Sequence, residues 1–333
     1  MDKILSIVIA SYNVEAFLDN TLCSCIPEDE QIQGRYEVLV INDGSRDGTL
    51  SIANSYAERY PRIFRVIDKP NGGYGSVINE GIRQAHGKYF KLLDGDDWYD
   101  TQALEELVRR LGECDCDMVL TDYAVVHREG EAGRKVSICN GIRPDKIFCG
   151  EGLQALRCVW AMHGICYKTE LLRGMPVSFT EHCLYTDNEY AFYGMAFVKT
   201  AIYYPICLYR YRIGREGQSM SAAVIKNHAG DMERVIRDLE TFYDSLGENG
   251  NRDLINFQIA RAYRGYLSFL MLLPYSGEIR RKIMVFDRGV KERHPERYEW
   301  MRNRKIHILR ATGYRAYGLC RFYCKWEKKR DER

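Results

Sequence analysis

Short apolar runs alternate with helical periodicity through the first 120 residues of this chain. Several runs are largely apolar, which is typical of strands that are buried on both faces of a sheet. The alternation predicts parallel strands joined by crossover helices, in the order βαβαβαβ. The predicted strands are Ile4 to Ala10, Tyr36 to Asn42, Phe64 to Ile67, Tyr89 to Leu93 and Met118 to Tyr123, and the predicted helices are Glu15 to Cys25, Asp47 to Tyr60, Gly75 to Ala85 and Thr101 to Leu111.

The loops that directly follow these strands are the first candidates for a site. Ligands of open α/β sheets bind outside the carboxyl ends of the strands, and the carboxyl ends of parallel strands meet at one edge. We therefore expect four loops to gather there. They are Ser11 to Asn13, Asn42 to Ser45, Asp68 to Gly73 and Asp94 to Asp97.

Three carboxylates, those of Asp94, Asp96 and Asp97, lie within four residues after the fourth predicted strand. Carboxylates this close repel one another unless a cation lies among them, and hard oxygen donors suit Mg²⁺ or Mn²⁺ better than Zn²⁺. The cluster therefore favours a divalent metal site. The alternative is an acidic turn that caps the helix predicted from Thr101, because Asp is favoured at caps and turns.

Length and composition indicate an ordinary globular protein with one large α/β domain and an appendage, or with two domains. Hydrophobic residues make up 46% and charged residues 28% of the 333 residues, which leaves little room for long disorder. We place the α/β domain over residues 1–221, with halves at 1–123 and 124–221, and a helical region over 222–333. Helical periodicity runs over Ala222 to Leu246, Asp253 to Leu273 and Glu278 to Arg293.

The apolar run at the N-terminus is interpreted as a strand and not as a signal peptide. No apolar run approaches the roughly 20 residues of a membrane-spanning helix, so we expect a cytoplasmic protein. The twelve cysteines are scattered, which favours reduced and mostly buried thiols over a disulfide framework or a zinc site.

The C-terminal tail is strongly basic. Residues 302–333 hold 11 Lys and Arg against 3 Asp and Glu, a local charge of +8, which leaves −6 for residues 1–301. A basic amphipathic helix here would contact an anionic membrane surface, with Trp326 and Tyr323 at the headgroups. The alternative is a terminal helix packed on the body. The apolar side of this helix is predicted to hold Ile306, Leu309, Gly313, Ala316, Tyr317, Cys320 and Cys324, and the other side mostly Arg310, Arg315, Arg321, Lys325 and Lys328.

Four motifs occur in order along the chain, and together they resemble the family 2 glycosyltransferases over about residues 3 to 221. The resemblance implies a GT-A fold, which is a Rossmann-like α/β sheet, and a helical C-terminal extension follows it here. It also implies a nucleotide-sugar donor, Mn²⁺ or Mg²⁺, and inversion at the anomeric carbon. No Gln-x-x-Arg-Trp motif of processive synthases occurs, so we expect one sugar per encounter. The motifs are Ser6 to Asn13, Val40 to Thr49, Asn79-Glu80-Gly81 with Ala85 to Tyr89, and Leu93 to Trp98.

The resemblance assigns roles to each residue of the acidic turn. Asp96 would ligate the metal, and Asp94 would contact the ribose or the sugar of the donor. Asp97 would contact the sugar or support the metal site. Bound in this way, the metal would neutralise charge on the departing nucleoside diphosphate.

Further residues are predicted near the nucleotide. Ser11 and Tyr12 are expected against the base, with an ordinary strand-to-helix turn as the alternative. Asp43 matches the family aspartate that accepts a hydrogen bond from uracil, and an Asx-turn is its structural alternative. Asp47 is expected to cap a helix, and Tyr74 to be structural.

Asn79 is predicted on the donor side because it lies in the third motif. Ile78 stands before it where the family often has arginine, and this departure removes a cationic contact with the diphosphate. The segment Tyr209 to Ser221 resembles the loop that closes over the diphosphate. Arg212 or Arg215 in that segment is a candidate replacement cation, or else a solvated loop charge.

The segment Leu184 to Tyr190 resembles the acceptor-side Glu-Asp segment of the family, with Thr186 where glutamate is usual. Asp187 aligns with the aspartate that takes the proton of the acceptor hydroxyl, a role typically worth roughly 10²- to 10⁴-fold in rate. The alternative is a cap for a helix beginning at Asn188.

The predicted activity is metal-dependent transfer of a sugar from a UDP-sugar to a saccharide or lipid-linked saccharide, in surface-polysaccharide synthesis. Peripheral contact with the inner face of the cell membrane is a further prediction. A sugar-nucleotide nucleotidyltransferase is the first alternative, but it needs a glycine-rich basic loop where Ser11 to Val14 stand. A nucleic-acid-binding protein is the second, but an acidic body repels phosphates and the acidic turn would have no role, so we expect no nucleic-acid partner.

Overall fold

The computed structural model describes residues 3–139, 141–156, 158, 160–214, 222–247 and 251–331. The chain divides into two compact units, the first ending at Ile213 and the second beginning at Gly214. Residues 215–221, at the end of the predicted α/β domain, lie outside the described ranges.

The first unit is built on a mixed sheet of ten strands. The strands are β1 (Leu5–Ser11), β2 (Tyr36–Asp43), β3 (Phe64–Lys69), β4 (Tyr89–Asp94), β5 (Trp98–Tyr99), β6 (Met118–Val126), β7 (Arg134–Val136), β8 (Ile147–Cys149), β9 (Ile165–Lys168) and β10 (Thr200–Arg212).

The predicted strands all form, but the sheet is not wholly parallel. Its order is β3-β2-β1-β4-β9-β6-β10-β5, with β7 beside β6 and β8 beside β10. Strands β3, β2, β1 and β4 are parallel, as expected, and every residue of β2 is buried. Strand β9 inserts antiparallel between β4 and β6, which the strand-and-helix alternation did not predict.

The register aligns the carboxyl ends of the four parallel strands. Ser11 pairs with Asn42, and Ala10 pairs with Asp94 on the other side of β1. Asp43 pairs with Lys69 at the end of β3. The four loops named above therefore emerge from one edge, as the sequence predicted.

Helices cover this sheet and build the second unit. In the first unit they are α1 (Glu15–Cys23), α2 (Thr49–Arg59), α3 (Tyr74–Gln84), α4 (Thr101–Glu113), α5 (Gly150–Gln154), α6 (Thr169–Arg173) and α7 (Asp187–Tyr193), with 3₁₀ turns at Met162–Gly164 and Gly194–Ala196. In the second they are α8 (Ala222–Asn227), α9 (Ala229–Ser245), α10 (Arg252–Leu272), α11 (Gly277–Arg293), α12 (Pro295–Trp300), α13 (Arg304–Ala311) and α14 (Tyr317–Asp331).

The N-cap of α4 tests the alternative interpretation of the acidic turn, that it caps this helix. Asp100, and none of Asp94, Asp96 and Asp97, is its N-cap, and the Asp100 carboxylate accepts a hydrogen bond of 3.0 Å from the amide of Ala103. The three preceding aspartates are therefore not needed to start the helix.

The tail is two helices and not the single helix predicted. Gly313 and Tyr314 both have positive φ, of 54° and 64°, and this left-handed pair separates α13 from α14. Most of the predicted apolar side is buried, so that side packs against other residues of the second unit. The buried members are Ile306, Leu309, Tyr317, Cys320 and Cys324.

Nine of the twelve cysteines are buried, which agrees with the prediction of mostly buried thiols. Among the described residues, no helix has the length and apolar character needed to cross a membrane.

Candidate active site

Two aspartates of the acidic turn face one another across a buried tyrosine. Asp94 ends β4 and Asp97 lies in the turn before β5. The Tyr209 hydroxyl donates to Asp97 Oδ2 over 2.6 Å and accepts from the Asp94 amide over 3.2 Å. The Tyr74 hydroxyl donates to Asp94 Oδ1 over 2.7 Å. Tyr74, expected to be structural, is thus a direct partner of the acidic turn.

Burial and crowding disfavour the ionised form of both carboxylates. Burial, followed by the charge of Asp96, raises the pKa of Asp94 to about 7. Burial likewise raises the pKa of Asp97 well above its usual range, with Asp96 and Asp94 adding to the effect. A bound cation would offset this cost of ionisation, so the electrostatics fit a metal site.

His163 completes a possible ligand set that the sequence did not indicate. One ligand atom each from Asp94, Asp97 and His163 lies within 4.8 Å of the others. Burial, then the Lys91 charge, lowers the pKa of His163 to about 3, so its ring is neutral and has a lone pair for a metal. Its buried Nδ1 has no hydrogen-bond partner among the described residues.

The ring of His163 is held by its aromatic neighbours and by its main chain. Its centroid lies 5.0 Å from that of Tyr123, 4.6 Å from that of Tyr209 and 4.4 Å from that of Tyr211. Buried Lys91 donates to the His163 carbonyl over 2.8 Å. Two carboxylates and one neutral imidazole are a donor set that a divalent metal accepts. Asp96 is not part of this group, and its ligation of a metal stays a prediction.

Arg212 supports the acidic turn from β10. Its amide donates to Asp97 Oδ1 over 2.7 Å and its Nε to the Asp96 carbonyl over 3.0 Å. Its guanidinium lies 4.7 Å from the Trp98 ring centroid and pairs with Glu129 over 2.6 Å. These contacts tie Arg212 to the turn, and a role at the diphosphate stays a prediction.

The segment containing Arg212 needs a correction. Tyr209 to Arg212 are the last residues of strand β10 and not part of a closing loop. Residues 215–221 of that predicted loop, Arg215 among them, lie outside the described residues.

At the end of β1, Ser11 is buried whereas the Tyr12 side chain is 50% exposed. Asn13 adopts a positive φ of 51°, and its amide donates to Ser45 Oγ over 3.0 Å, which joins the first two loops of the edge. Tyr12 therefore presents an open ring beside the loop that follows Asp43. Contact of Ser11 or Tyr12 with a base stays a prediction.

Asp43 organises the neighbouring glycine turn. Its Oδ1 accepts from Lys69 Nζ over 2.6 Å and from the Gly72 amide over 2.9 Å, and its Oδ2 accepts from the Gly73 amide over 2.8 Å and from Asn71 Nδ2 over 3.1 Å. Both oxygens already serve the turn, and recognition of uracil by this side chain stays a prediction. Lys69 is a cation at this edge that sequence reasoning missed.

Asp47 is not the N-cap of α2, which is Gly48, but its side chain bonds the backbone next to that cap. Its Oδ1 accepts from the Thr49 amide, the first residue of α2, over 3.1 Å. Its Oδ2 accepts from the Glu15 amide at the start of α1 over 3.2 Å. This carboxylate therefore joins the beginnings of two helices.

Helix α3 clamps the segment that precedes Asp187. The Asn79 side chain accepts from the Phe179 amide and donates to the Phe179 carbonyl, both over 2.9 Å. Gly75 packs so tightly that a Cβ there would lie 2.0 Å from the Thr180 carbonyl oxygen. The amide of Asn79 thus braces the acceptor-side segment, and a donor contact from it stays a prediction.

Asp187 is the first residue of α7, and Thr186 occupies the cap position. The helix therefore does not begin at Asn188, as the capping alternative required. Burial raises the pKa of Asp187 to about 6. Its charge in turn raises the pKa of Asp94, because the two carboxylates share this end of the sheet. Glu189 is buried and accepts from the Thr180 amide over 2.8 Å, which fits a structural role.

The family follows from comparison with known proteins. Residues 6–161 match the family model described as glycosyl transferase family 2. Residues 6–161, a little under half of the chain, are therefore a glycosyl transferase family 2 region.

Curated relatives match part of the chain. EpsH of Bacillus subtilis, provisionally named a glycosyltransferase, is 35% identical over 120 residues, which are 36% of this chain and 33% of EpsH. TuaG of Bacillus subtilis, provisionally named a teichuronic acid biosynthesis glycosyltransferase, is 28% identical over 127 residues, which are 38% of this chain and 49% of TuaG. The chain thus spans a third to a half of the length of these two relatives.

Solved structures establish the GT-A fold. S. aureus TarS 1-349 in complex with UDP-GlcNAc superposes with a TM-score of 0.70 at 19% identity, over 97% of this chain and 92% of the TarS chain. The mannosyltransferase PcManGT from Pyrobaculum calidifontis, in complex with GDP-Man and Mn²⁺, has a TM-score of 0.50 at 16% identity, over 98% and 88% of the two chains.

Proposed function

We propose that this protein is a metal-dependent inverting glycosyltransferase that uses a UDP-sugar donor. The observation that carries the proposal is the meeting of Asp94, Asp97 and His163 at the carboxyl edge of a GT-A sheet, with Asp187 at the same end. Neighbouring structures with UDP-GlcNAc and with GDP-Man and Mn²⁺ support a nucleotide-sugar and a divalent metal for this fold.

Asp94, Asp97 and His163 would hold the metal, with Asp96 as a further candidate ligand. A bound Mn²⁺ or Mg²⁺ ion would supply positive charge against the diphosphate leaving group. Arg212 and the Tyr209 hydroxyl hold Asp97 in place, while the Tyr74 hydroxyl holds Asp94. The protein thus fixes the ligands before the donor arrives, which reduces the cost of binding.

Asp187 would act as the general base. The acceptor hydroxyl loses its proton to the Asp187 carboxylate as its oxygen forms the bond to C1 of the sugar. The bond between C1 and the UDP oxygen breaks on the opposite face, so the anomeric configuration inverts. A pKa of about 6 keeps most of the Asp187 carboxylate ionised at neutral pH and still basic enough to accept the proton.

The proposed acceptor is the hydroxyl of a saccharide or a lipid-linked saccharide in surface-polysaccharide synthesis, at the cytoplasmic face of the membrane. Support comes from the name of TuaG, which refers to teichuronic acid biosynthesis. Tyr12 and Asp43 remain proposed donor-side residues, with the edge position of their loops as support. Asn79, which lies within α3, is proposed on the donor side from its motif alone.

Isothermal titration calorimetry tests the donor half of this proposal. The parent should bind UDP in the presence of Mn²⁺, with weaker binding of GDP and of UDP without metal. In Asp97→Asn, the increase in UDP binding that Mn²⁺ causes should be lost. No binding of either nucleotide under any condition would contradict the proposal.

Asp115→Asn is the matched control. Asp115 is an exposed aspartate of the first unit, paired with Lys88 and Lys168 before β6. This variant should bind UDP as the parent does. Asp187→Asn separates the two halves of the mechanism, because it should retain UDP binding and lose transfer to acceptor.

A further inference from the structure

Helix α14 exposes an apolar surface, of which the tail prediction had identified only Trp326. Leu319, Phe322 and Trp326 follow one another at spacings of three and four residues and are 63%, 69% and 49% exposed. Such spacing puts them on one side of a helix. Tyr275, 61% exposed, extends this surface, since its ring lies 4.0 Å from a Cβ built at Gly318. These four residues are called the aromatic face.

The opposite side of α14 is seated through its buried residues, which directs the aromatic face outward. Tyr317, Cys320 and Cys324 are buried in the second unit. The Tyr317 ring stacks on that of Tyr275 at 5.3 Å, and Arg321 Nε donates to the Leu273 carbonyl over 2.6 Å. Burial of one side of α14 therefore leaves the large side chains of the other side in water.

The sequence around this surface is cationic. Residues 302–333 carry a net charge of +8, and Arg315, two residues before α14, is exposed. A surface that combines large apolar side chains with positive charge matches a bilayer with anionic headgroups, where rings enter the interface and cations meet phosphates. A second copy of this chain would bring +8 against +8 in a symmetric contact, which is unfavourable.

We propose that the aromatic face is a peripheral docking surface for an anionic lipid bilayer. This interaction is independent of the transfer chemistry and would bring the enzyme to an acceptor on a lipid carrier. The residues that insert are the exposed ones of α14 and Tyr275, and not the buried side that the sequence pattern suggested.

Vesicle sedimentation of the full chain tests the proposal. The parent should sediment with vesicles of phosphatidylglycerol and phosphatidylcholine at low salt, and much less with phosphatidylcholine alone. Phe322→Ser/Trp326→Ser should lower the partition coefficient at least about tenfold, because two large side chains lose their transfer into the interface. The control Val285→Ser removes another exposed apolar side chain of the second unit, on α11, and should bind as the parent does.

Trp326→Phe gives a second measurement that does not depend on a polar substitution. Brominated lipids should quench part of the parent's tryptophan fluorescence, and this part should disappear in Trp326→Phe while sedimentation persists. Absence of binding to anionic vesicles at low salt, or equal binding by the parent and the Phe322→Ser/Trp326→Ser variant, would overturn the proposal. A dimer in sedimentation velocity that the double variant abolishes, without vesicle binding, would overturn it in favour of a second copy. UDP binding by the double variant should equal that of the parent, which keeps this test separate from that of the transferase proposal.

Discussion

Asp94 should destabilise the metal-free fold at neutral pH. An aspartate in an unfolded chain has a pKa of about 3.9, whereas the folded protein raises that of Asp94 to about 7. The folded state therefore holds more protons between these values, and stability falls as pH rises through that window. Asn cannot ionise, so the free energy of unfolding of Asp94→Asn relative to the parent should increase by about 3–4 kcal/mol from pH 4 to pH 8.

Urea denaturation without metal at both pH values measures this difference. Asp115→Asn is the control, because ion pairs with Lys168 and Lys88 lower the pKa of that exposed carboxyl. Its relative stability should not rise with pH. A relative stability of Asp94→Asn that stays constant or falls would refute the assigned pKa direction.

His163 gives a prediction on metal affinity. His163→Phe keeps a ring among Tyr123, Tyr209 and Tyr211 but removes the nitrogen donor. Loss of an outer-shell partner of a metal ligand already costs on the order of 10- to 100-fold in affinity, so loss of a ligand should weaken Mn²⁺-dependent UDP binding at least about tenfold. Calorimetry measures it, with His307→Phe, on the exposed side of α13, as the control. Equal affinity in His163→Phe and the parent would exclude His163 as a ligand.

At the scale of elements, the glycine turn before α3 depends on Asp43. Asp43→Asn replaces a charged acceptor of four hydrogen bonds with an amide that accepts at one atom only. Two buried backbone amides then compete for one oxygen, and we expect a loss of about 1–3 kcal/mol in the free energy of unfolding.

The same variant separates the structural role of Asp43 from a nucleotide contact. Urea denaturation reports the first, and UDP titration reports the second. Unchanged stability with lost UDP binding would identify a ligand contact and contradict the structural prediction. Asp68→Asn, at the end of β3, removes a charge at the same edge without touching the turn and serves as the control.

A change in the contact between α3 and Thr180 should also change the position of Asp187. Gly75→Ala requires the Thr180 carbonyl to move, because the new Cβ would lie 2.0 Å from it. We expect a loss of about 1–3 kcal/mol in stability and a fall in transfer rate that exceeds any change in UDP affinity. Gly230→Ala, with open space around it on α9, should change neither property. Wild-type transfer by Gly75→Ala would contradict this coupling.

Local pattern explains which elements the sequence revealed. Strands β1, β2 and β4 are mostly apolar and joined by helices with clear periodicity, so both their existence and their common edge could be predicted. Strand β9 has four residues and lies antiparallel between β4 and β6, a placement fixed by long-range packing. The helix break at Gly313 and Tyr314 could not be predicted either, because helical spacing of apolar residues continues across it in the sequence.

At the scale of the whole molecule, one sequence motif predicted the aspartates of the site, but no motif predicted the residues that contact them. Tyr74, His163 and Tyr209 come from distant parts of the chain and meet the acidic turn only through sheet order. No local spacing distinguishes them from other core aromatic residues and histidines. Resemblance to a family supplied Asp187, and the fold brings its charge near Asp94.

At the scale of the whole molecule, a proton and a metal ion compete for Asp94, and this competition predicts how metal affinity depends on pH. Asp94 has a pKa of about 7 in the folded protein, and a metal displaces the proton of a carboxylate that ligates it. Below about pH 7 each displaced proton costs roughly tenfold in metal affinity per pH unit, so Mn²⁺-dependent UDP binding should weaken about tenfold from pH 7 to pH 6 and change little above pH 8. Calorimetry in two buffers of different ionisation enthalpy measures both the affinity and the protons released. Asp115→Asn should follow the parent's profile, whereas an affinity independent of pH with no proton release would show that neither carboxylate binds the metal.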